Sequence, residues 1–296
     1  MLFNKNNNGS QELYHITGKF HAATAFDSIR NEVIDAENQV RDLVGGEILA
    51  AAADAYAATD PTEEQQQLLE AVRRPIACLA VQMHARLSGL SHGEGGRKIK
   101  VDENEKIPFE WMIDRDDQAM RERYYRALDG LFSFLSDKAD LWNKCPLSSA
   151  LSGCIVKTVA QFETVYPIDG SHYTFFKILP LLLDAQESLQ AKTGLAPDAL
   201  MNDRRALKHI VLTALATALK RWSIVIFPAS VARQFSPSYQ GNRETAAATM
   251  EEIRICAENF TDEAADELRR IKADISPDTD AGLKPKNNPR NKFFTV

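Results

Sequence analysis

Histidine and cysteine are the side chains in this chain that could bind a transition metal or act as a nucleophile. The histidines include no His-x-x-x-His pair and no His-Glu-x-x-His motif, the spacings that place two imidazoles on one helix face. They are His15, His21, His84, His92, His172 and His209. The four cysteines, Cys78, Cys145, Cys154 and Cys256, include no Cys-x-x-Cys pair. We therefore expect no metal site and no disulfide framework, and a reducing compartment.

Three further stretches could carry catalytic or phosphate-binding chemistry, and each has a structural explanation. Residues 93–98 (Gly-Glu-Gly-Gly-Arg-Lys) lack the Gly-x-x-x-x-Gly-Lys-Ser/Thr spacing of a phosphate loop and are typical of a hairpin turn. Residues 114–117 (Asp-Arg-Asp-Asp) have no acid at the fifth position of a metal-binding pattern and fit helix capping. Residues 169–172 (Asp-Gly-Ser-His) lie between a proline turn and a helix start. We predict no catalytic residue and no cofactor, and hence no enzyme.

The apolar stretch at residues 108–113 (Pro-Phe-Glu-Trp-Met-Ile) is a candidate contact surface. It is either a core plug beneath a loop or a hydrophobic contact for a partner. Residues 293–296 (Phe-Phe-Thr-Val) follow a basic stretch and are either a disordered end or an arm that docks on a neighbouring surface. The candidate interface residues are Phe109, Trp111, Phe293, Phe294 and Val296.

The elements that position these residues are predicted to be helices, because apolar residues recur at steps of three and four in four segments. The first segment starts after Pro61, and Pro75 inside it predicts a kink or a break near Arg74. The second starts with Asp116 and Asp117 as cap and first-turn acids. The four apolar faces are Leu68, Val72, Ile76, Leu79, Met83 and Leu87; Met120, Tyr124, Ala127, Leu128, Leu131 and Leu135; Leu207, Ile210, Val211, Ala214, Leu215, Ala218 and Leu219; and Met250, Ile253, Ala257, Phe260, Ala264, Leu268 and Ile271.

Smaller features complete the prediction of a mainly α fold, a helical bundle with short β-hairpins in the connections. Strand signals are limited to residues 97–101 and 224–227. Thr261 is predicted to be a fresh cap that splits the fourth helix, and Ser171 to cap another. Arg121, Arg123 and Arg126 alternate with Glu122, which indicates either a solvated helix surface or the rim of an interface.

The domain organisation follows from composition and from a weak internal similarity. Polar residues at 4–10 and prolines in 276–296 indicate tails. We predict an N-terminal extension (1–24), a first helical unit (25–145), a second helical unit (146–275) and a flexible C-terminal arm (276–296). Residues 35–40, with Gly45 ten positions after Asp35, resemble residues 184–189, with Gly194 ten positions after Asp184. This is either a coincidence between amphipathic helices or a duplication of one unit.

Composition narrows the class of protein. The 296 residues are 44% hydrophobic and 26% charged, which excludes a wholly disordered, collagen-like or membrane-embedded chain. The formal net charge of -6 argues against a protein whose main task is to bind nucleic acid phosphates. The start of the sequence leads us to expect no signal peptide, and no apolar run is long enough to predict a membrane-spanning helix.

Four stretches in order resemble an uncharacterised protein family found in tailed phages and prophages, over roughly residues 25–230. They are Ala-Glu-Asn-Gln-Val-Arg-Asp-Leu-Val-Gly-Gly-Glu (36–47), Val-Arg-Arg-Pro-Ile-Ala-Cys-Leu-Ala (72–80), Val-Asp-Glu-Asn-Glu-Lys-Ile-Pro-Phe-Glu-Trp (101–111) and Tyr-Pro-Ile-Asp-Gly-Ser (166–171). The order of a helix ending in glycine, a long Ala-rich helix, a short strand pair and another helix is also similar to phage head–tail connector proteins.

The resemblance implies a virion structural protein, a head–tail connector or adaptor that forms a ring between portal and tail. It implies self-association, contacts with the portal and with tail or neck proteins, and passage of genomic DNA through the lumen without specific binding. The protein would be assembled in the host cytoplasm, have no membrane partner and reside in the virion neck. Two alternatives are another helical virion protein, for tail completion or as an accessory scaffold, and an α-helical enzyme with His84 near Arg86 as the first catalytic candidate.

Overall fold

The computed structural model of the chain describes residues 1–88, 91–93, 96–98, 109–221, 233–234, 246–247 and 249–275, and within them the fold is mainly α-helical, as predicted. The helices are α1 (Gly9–Thr17), α2 (Arg30–Val44), α3 (Gly46–Ala57), α4 (Glu63–Ser88), α5 (Glu110–Ser136), α6 (Ala139–Trp142), α7 (Pro146–Ser152), α8 (Val159–Glu163), α9 (His172–Thr193), α10 (Pro197–Leu200), α11 (Arg204–Arg221) and α12 (Met250–Ile275). Two 3-10 helical turns, Lys5–Asn7 and Phe26–Ser28, precede α1 and α2. None of the helices in these ranges has the length and apolar composition needed to cross a membrane.

Two very short antiparallel strand pairs lie in the connections. β1 (Ser91–Gly93) pairs with β2 (Gly96–Lys98), and β3 (Arg233–Gln234) pairs with β4 (Ala246–Ala247). A two-stranded pair of this length is only marginally stable in water. The prediction that short β-hairpins form part of the fold is therefore not supported. The strand predicted at 224–227 and most of the one at 97–101 lie outside the described residues.

The start of the chain belongs to the first core. Leu2 and Phe3 are 1% and 2% exposed, and the backbone N–H of Leu2 donates to the carboxylate of Glu37 in α2. α1 follows and packs against α4. The prediction that residues 4–10 form a tail is wrong, because the apolar residues on both sides of this polar segment anchor it on the core. The predicted N-terminal extension contributes Leu2, Phe3, Leu13 and Phe20 to that core.

α4 is the central helix of the first unit and packs against α1, α2, α3 and α5. It begins at Glu63, as predicted, and buries Val72, Ile76 and Leu79. The helix continues through Pro75, so the predicted break does not occur. A proline inside a helix costs one backbone hydrogen bond, and packing on all these neighbours stabilises the helix around it.

α5 carries the predicted apolar face but begins earlier than predicted. Its buried residues include Met120, Tyr124, Leu128 and Leu135. The helix starts at Glu110 after Phe109, so Asp116 and Asp117 lie in its second turn and do not cap it. The N-cap residue, Phe109, has no side chain that can cap the helix, which is why the acids at 116 and 117 favoured a later start.

α11 is the central helix of the second unit and packs against α9 and α12. Its predicted face is buried, apart from the partly buried Leu207. α12 is continuous, so the cap predicted at Thr261 is wrong. The Thr261 hydroxyl instead donates to the carbonyl of Ala257 at 2.7 Å inside the helix. Met250, predicted on the apolar face of α12, is 78% exposed.

The two units share the order of their elements. In each, a long helix is closed by a glycine with positive φ, Gly45 after α2 and Gly194 after α9, as the sequence predicts. A shorter helix then leads to the central helix, and one more long helix follows.

A buried polar side chain occupies the same position on α2 and α9. Glu37 lies eight residues before Gly45, and Gln186 lies eight residues before Gly194. Glu37 accepts from the N–H of Leu2, and Gln186 accepts from the N–H of Ile155 at 2.7 Å. Each long helix thereby binds backbone from earlier in the chain, before α1 in the first case and between α7 and α8 in the second.

Two hydrophobic cores, within residues 2–135 and 151–271, meet where α5 packs against α9. The ring of Phe176 lies 4.9 Å from that of Phe132 and 5.8 Å from that of Trp142, between centroids. Ser171 caps α9, as predicted, by accepting from the N–H of Thr174. The predicted boundary at 145/146 falls between the two cores, and the division into domains stays a prediction.

Candidate interaction surfaces

Four large apolar side chains are exposed together at the start of α5. Phe109 is 68% exposed, Trp111 49%, Met112 42% and Ile113 49%. We call these four residues the α5 tip. Because they are exposed, they do not plug the core. Of the two interpretations of this stretch, the contact for a partner stays a prediction. A run of exposed large apolar side chains is typical of a surface that binds another molecule.

Two exposed ion pairs connect the next turn of α5 to neighbouring elements. Lys19 Nζ, just after α1, lies 3.0 Å from Asp116 Oδ1, and Arg86 Nε, near the end of α4, lies 3.0 Å from Asp117 Oδ2. Exposed pairs contribute little to stability, and it is the buried face of α5 that holds the helix against α4. The α5 tip is therefore presented on an anchored helix.

The other predicted interface residues, Phe293, Phe294 and Val296, lie outside the described residues. Their role as a docking arm stays a prediction.

An open cleft of about 1120 Å³ lies between α1, α4 and α5. Four arginines line it, Arg73, Arg74, Arg123 and Arg126, against two glutamates. Ala127 and Leu131 are the buried apolar residues of its wall, and Ile16, Ala71 and Phe134 are partly buried. We call this feature the arginine cleft.

The sequence pattern on α5 grouped only two of the four arginines that line this cleft. Of the three arginines grouped on α5, Arg123 and Arg126 line the cleft, whereas Arg121 does not. Arg73 and Arg74 come from α4, and only the packing of α4 against α5 brings them to the same place. Nothing in the local spacing of either helix signals that contact.

Two of the four guanidinium groups are held by contacts within the chain. Arg123 donates to the backbone carbonyls of Ile16, at 2.9 Å, and Thr17 at the end of α1, where helix carbonyls lack helical partners. Arg73 donates to Glu12 at 2.8 Å and lies over the Phe3 ring, 4.6 Å from its centroid. These contacts give both arginines a fixed orientation.

Glu12 also connects this region to α3. The hydroxyl of Tyr56 donates to Glu12 at 2.9 Å and accepts from the backbone N–H of Lys5. Burial raises the pKa of Tyr56 to about 12, so its hydroxyl stays protonated and remains a donor at neutral pH. The start of the chain, α1, α3 and Arg73 thus form one hydrogen-bonded assembly.

Arg74 and Arg126 differ from the other two because both are exposed and neither forms an ion pair with a residue that the structure describes. Glu70 and Glu122 also line the cleft. The four arginines outnumber these two acids, so the cleft is a positively charged surface on an acidic chain.

Gly130 opens the cleft on the side of α5. It lies in the interior of the helix, where glycine costs about 0.5–1 kcal/mol relative to alanine. A Cβ atom at this position would meet no atom of the described residues within 4 Å. Packing among the described residues therefore does not explain the glycine.

A cluster of titratable groups with shifted pKa values lies elsewhere, between α5 and α9. Burial raises the pKa of Asp129, Tyr125 and Tyr173 and lowers that of His172. Asp129 accepts from the backbone N–H of Tyr173 at 2.9 Å and from the hydroxyl of Ser171. These contacts satisfy the start of α9, and none of these residues lines the arginine cleft.

His84, the first catalytic candidate of the enzyme alternative, packs between a glutamate and an aromatic ring. His84 Nδ1 lies 3.8 Å from Glu32 Oε1, and its ring meets Phe20 edge-on at 5.5 Å. The neighbouring Arg86 pairs with Asp117. No nucleophile contacts His84 among the hydrogen bonds of the described residues.

In the described part of the chain, no three His, Cys, Asp or Glu side chains lie close enough to hold a metal ion. Cys78, Cys145 and Cys154 are buried and Cys256 is partly buried, and none forms a disulfide. Burial raises the pKa of all four thiols. Thiols of this kind are weak nucleophiles at neutral pH.

Comparison with protein-family models, with curated proteins and with solved structures gives no match for this chain.

Proposed function

We propose that this chain is a structural protein of a phage virion, a head–tail connector or adaptor that forms a ring between the portal and the tail for genome passage. The observation that carries the proposal is the α5 tip, an exposed apolar surface on an anchored helix. Protein interfaces are centred on aromatic side chains such as Phe109 and Trp111. The resemblance of residues 25–230 to a tailed-phage family supplies the virion setting.

The proposed partners are further copies of the chain, the portal protein, and tail or neck proteins. Genomic DNA would pass through the lumen without specific binding, and the net charge of -6 supports this because an acidic chain does not attract phosphates overall. The protein would be assembled in the host cytoplasm and reside in the virion neck.

We also propose that the two helical units are related by duplication. The shared order of elements, the glycines that close α2 and α9, and the equivalent hydrogen bonds of Glu37 and Gln186 support this relation. Two copies of a unit in one chain fix a pairing that separate copies would form by symmetry.

The test is negative-stain imaging of the purified chain, alone and after co-expression with a portal protein encoded beside it. We expect rings or density that caps the portal. Trp111→Ser should remove that density, because it takes away the central aromatic of the α5 tip, whereas Met250→Ser removes an exposed apolar side chain elsewhere and should not.

A chain that stays monomeric and leaves the portal uncapped would contradict the proposal. Density on a tail protein but not on the portal would favour another helical virion protein, for tail completion or as an accessory scaffold.

A further inference from the structure

The α5 tip and the arginine cleft are complementary in length. Cleft residues on α5 run from Ala119 to Phe134, which is about 22 Å at 1.5 Å per residue. The α5 tip and the turn after it, residues 109–117, span about 12 Å by the same measure. The cleft is therefore long enough to hold the first two turns of a second α5.

The two surfaces are also complementary in charge. Asp116 and Asp117 already pair with Lys19 and Arg86, so the other charges of residues 110–117 are the acids Glu110 and Asp114 against Arg115. Arg73 pairs with Glu12, so the other charges that line the cleft are three arginines against two glutamates. Opposite net charges steer two surfaces together and disfavour contact between two copies of the same surface.

The side chains on each surface suit those on the other. Exposed guanidinium groups bind the faces of aromatic rings, and Arg74 and Arg126 have no ion-pair partner in the described residues that would compete for them. Trp111 and Phe109 are the exposed aromatic side chains of the α5 tip. Tryptophan and arginine are also the residue types most enriched at the energetic centres of interfaces.

Gly130 gives the cleft room for a helix. A glycine with open space above it lets the backbone of another chain approach α5 closely. A partner that covers Gly130 would explain why the helix has a glycine here despite its low helix propensity. Contacts among the described residues do not explain it.

We infer that the α5 tip of one copy occupies the arginine cleft of a second copy. The inference rests on the proposed function and names the contact that would build its ring. Because the tip and the cleft are different surfaces, each copy can give its tip to one neighbour and accept the tip of another. Such head-to-tail contacts generate rings when the rotation closes.

The experiment is sedimentation velocity on the full chain over a wide range of concentration, free and in the presence of the portal protein. The tip variant is Trp111→Ser with Ile113→Ser, and the cleft variant is Arg74→Glu with Arg126→Glu. The matched controls change exposed residues elsewhere, Met250→Ser and Arg204→Glu. We expect wild type to associate, each tip or cleft variant to weaken association about tenfold or more, and the controls to behave as wild type.

Two further variants separate the contact from misfolding. A mixture of the tip variant and the cleft variant retains one intact tip and one intact cleft, so it should form a one-to-one pair and assemble no further. Gly130→Leu fills the cleft but improves helix propensity. It should therefore unfold at a higher temperature than wild type and still fail to associate.

The outcomes that overturn the inference differ from those that overturn the proposed function. If wild type and both variants associate equally, the tip and the cleft are not the contact, and the connector role stands. If only the tip variant loses association, the tip binds elsewhere; if only the cleft variant does, another acidic partner occupies the cleft. If wild type remains monomeric at every concentration and on the portal, the inference and the proposed function both fail.

Discussion

At the scale of single residues, Gln186 shows how a buried amide stabilises irregular backbone. It accepts from the N–H of Ile155 and donates to the carbonyl of Gly153 at 2.8 Å. Gln186→Ala leaves both backbone groups without partners, and we expect it to lower the free energy of unfolding by about 1–3 kcal/mol. Urea denaturation measures this. The exposed neighbour Glu187 is the control, because Glu187→Ala should change the free energy by less than about 0.5 kcal/mol.

We expect His209 to make the stability of the fold depend on pH. It is 3% exposed, its Nδ1 lies 2.7 Å from the carbonyl oxygen of Ala264, and burial lowers its pKa from 6.5. Lys192 lowers the pKa further, and Glu267 opposes this. Since the unfolded chain binds a proton at a pH where the folded chain does not, protonation favours unfolding as the pH falls below about 6.5.

We therefore expect the melting temperature to fall as the pH is lowered from about 8 to about 5.5. Burial also lowers the pKa of His172, which adds to the effect. His209→Leu should reduce the slope of melting temperature against pH. A slope that is unchanged in this variant would show that His209 does not titrate with unfolding.

At the scale of elements, Gly45 fixes the turn between α2 and α3. Its φ is 93°, and a Cβ atom there would lie 2.8 Å from the Pro146 side chain at the start of α7. Gly45→Ala combines a strained backbone with a clash, and we expect a loss of about 2 kcal/mol or more in the free energy of unfolding. Gly46→Ala is the matched control, because no atom lies within 4 Å of its Cβ position. It should be neutral or slightly stabilising in the same urea denaturation experiment.

The long helices α4, α5, α11 and α12 and most of their apolar faces were predictable from the sequence, because burial against one neighbouring surface imposes steps of three and four. Leu87 and Met250, at the ends of these faces, are exposed. The end of α2 at Gly45 and the cap at Ser171 were predictable because single residue types carry them. The start of α5 was not predictable in this way, since its N-cap residue, Phe109, has no side chain that can cap the helix.

Features that depend on contacts distant in sequence were missed. The burial of Leu2 depends on Glu37 in α2, and the arginine cleft depends on α4 packing against α5. Periodicity reports one helix at a time and contains no information on which helix it meets. The exposure of Phe109 and Trp111 also needed coordinates, because an apolar stretch between two elements fits a core plug and a contact surface equally well.

At the scale of the whole molecule, an aromatic cluster packs against both cores. Phe176 and Trp142 pack against both the first core and the second. Asp129 adds a polar link, because it belongs to α5 and accepts from the start of α9. The packing of α2 against α7 and the rings of Tyr125 and Tyr173, 4.9 Å apart between centroids, add further contacts between the two units.

Phe176→Ala should separate the unfolding of the two units. Truncation of this ring removes the contacts to Phe132 and Trp142, and we expect a loss of about 3 kcal/mol, located where the cores meet. Wild type should unfold in one transition, so that the curves from tryptophan fluorescence and from far-ultraviolet circular dichroism coincide. The variant should show two transitions. Phe260→Ala is the control, because Phe260 packs within the second core, 5.4 Å from Tyr166 between ring centroids. It should lower the stability of the second unit, and only a second transition that is specific to Phe176→Ala would support coupling through this ring.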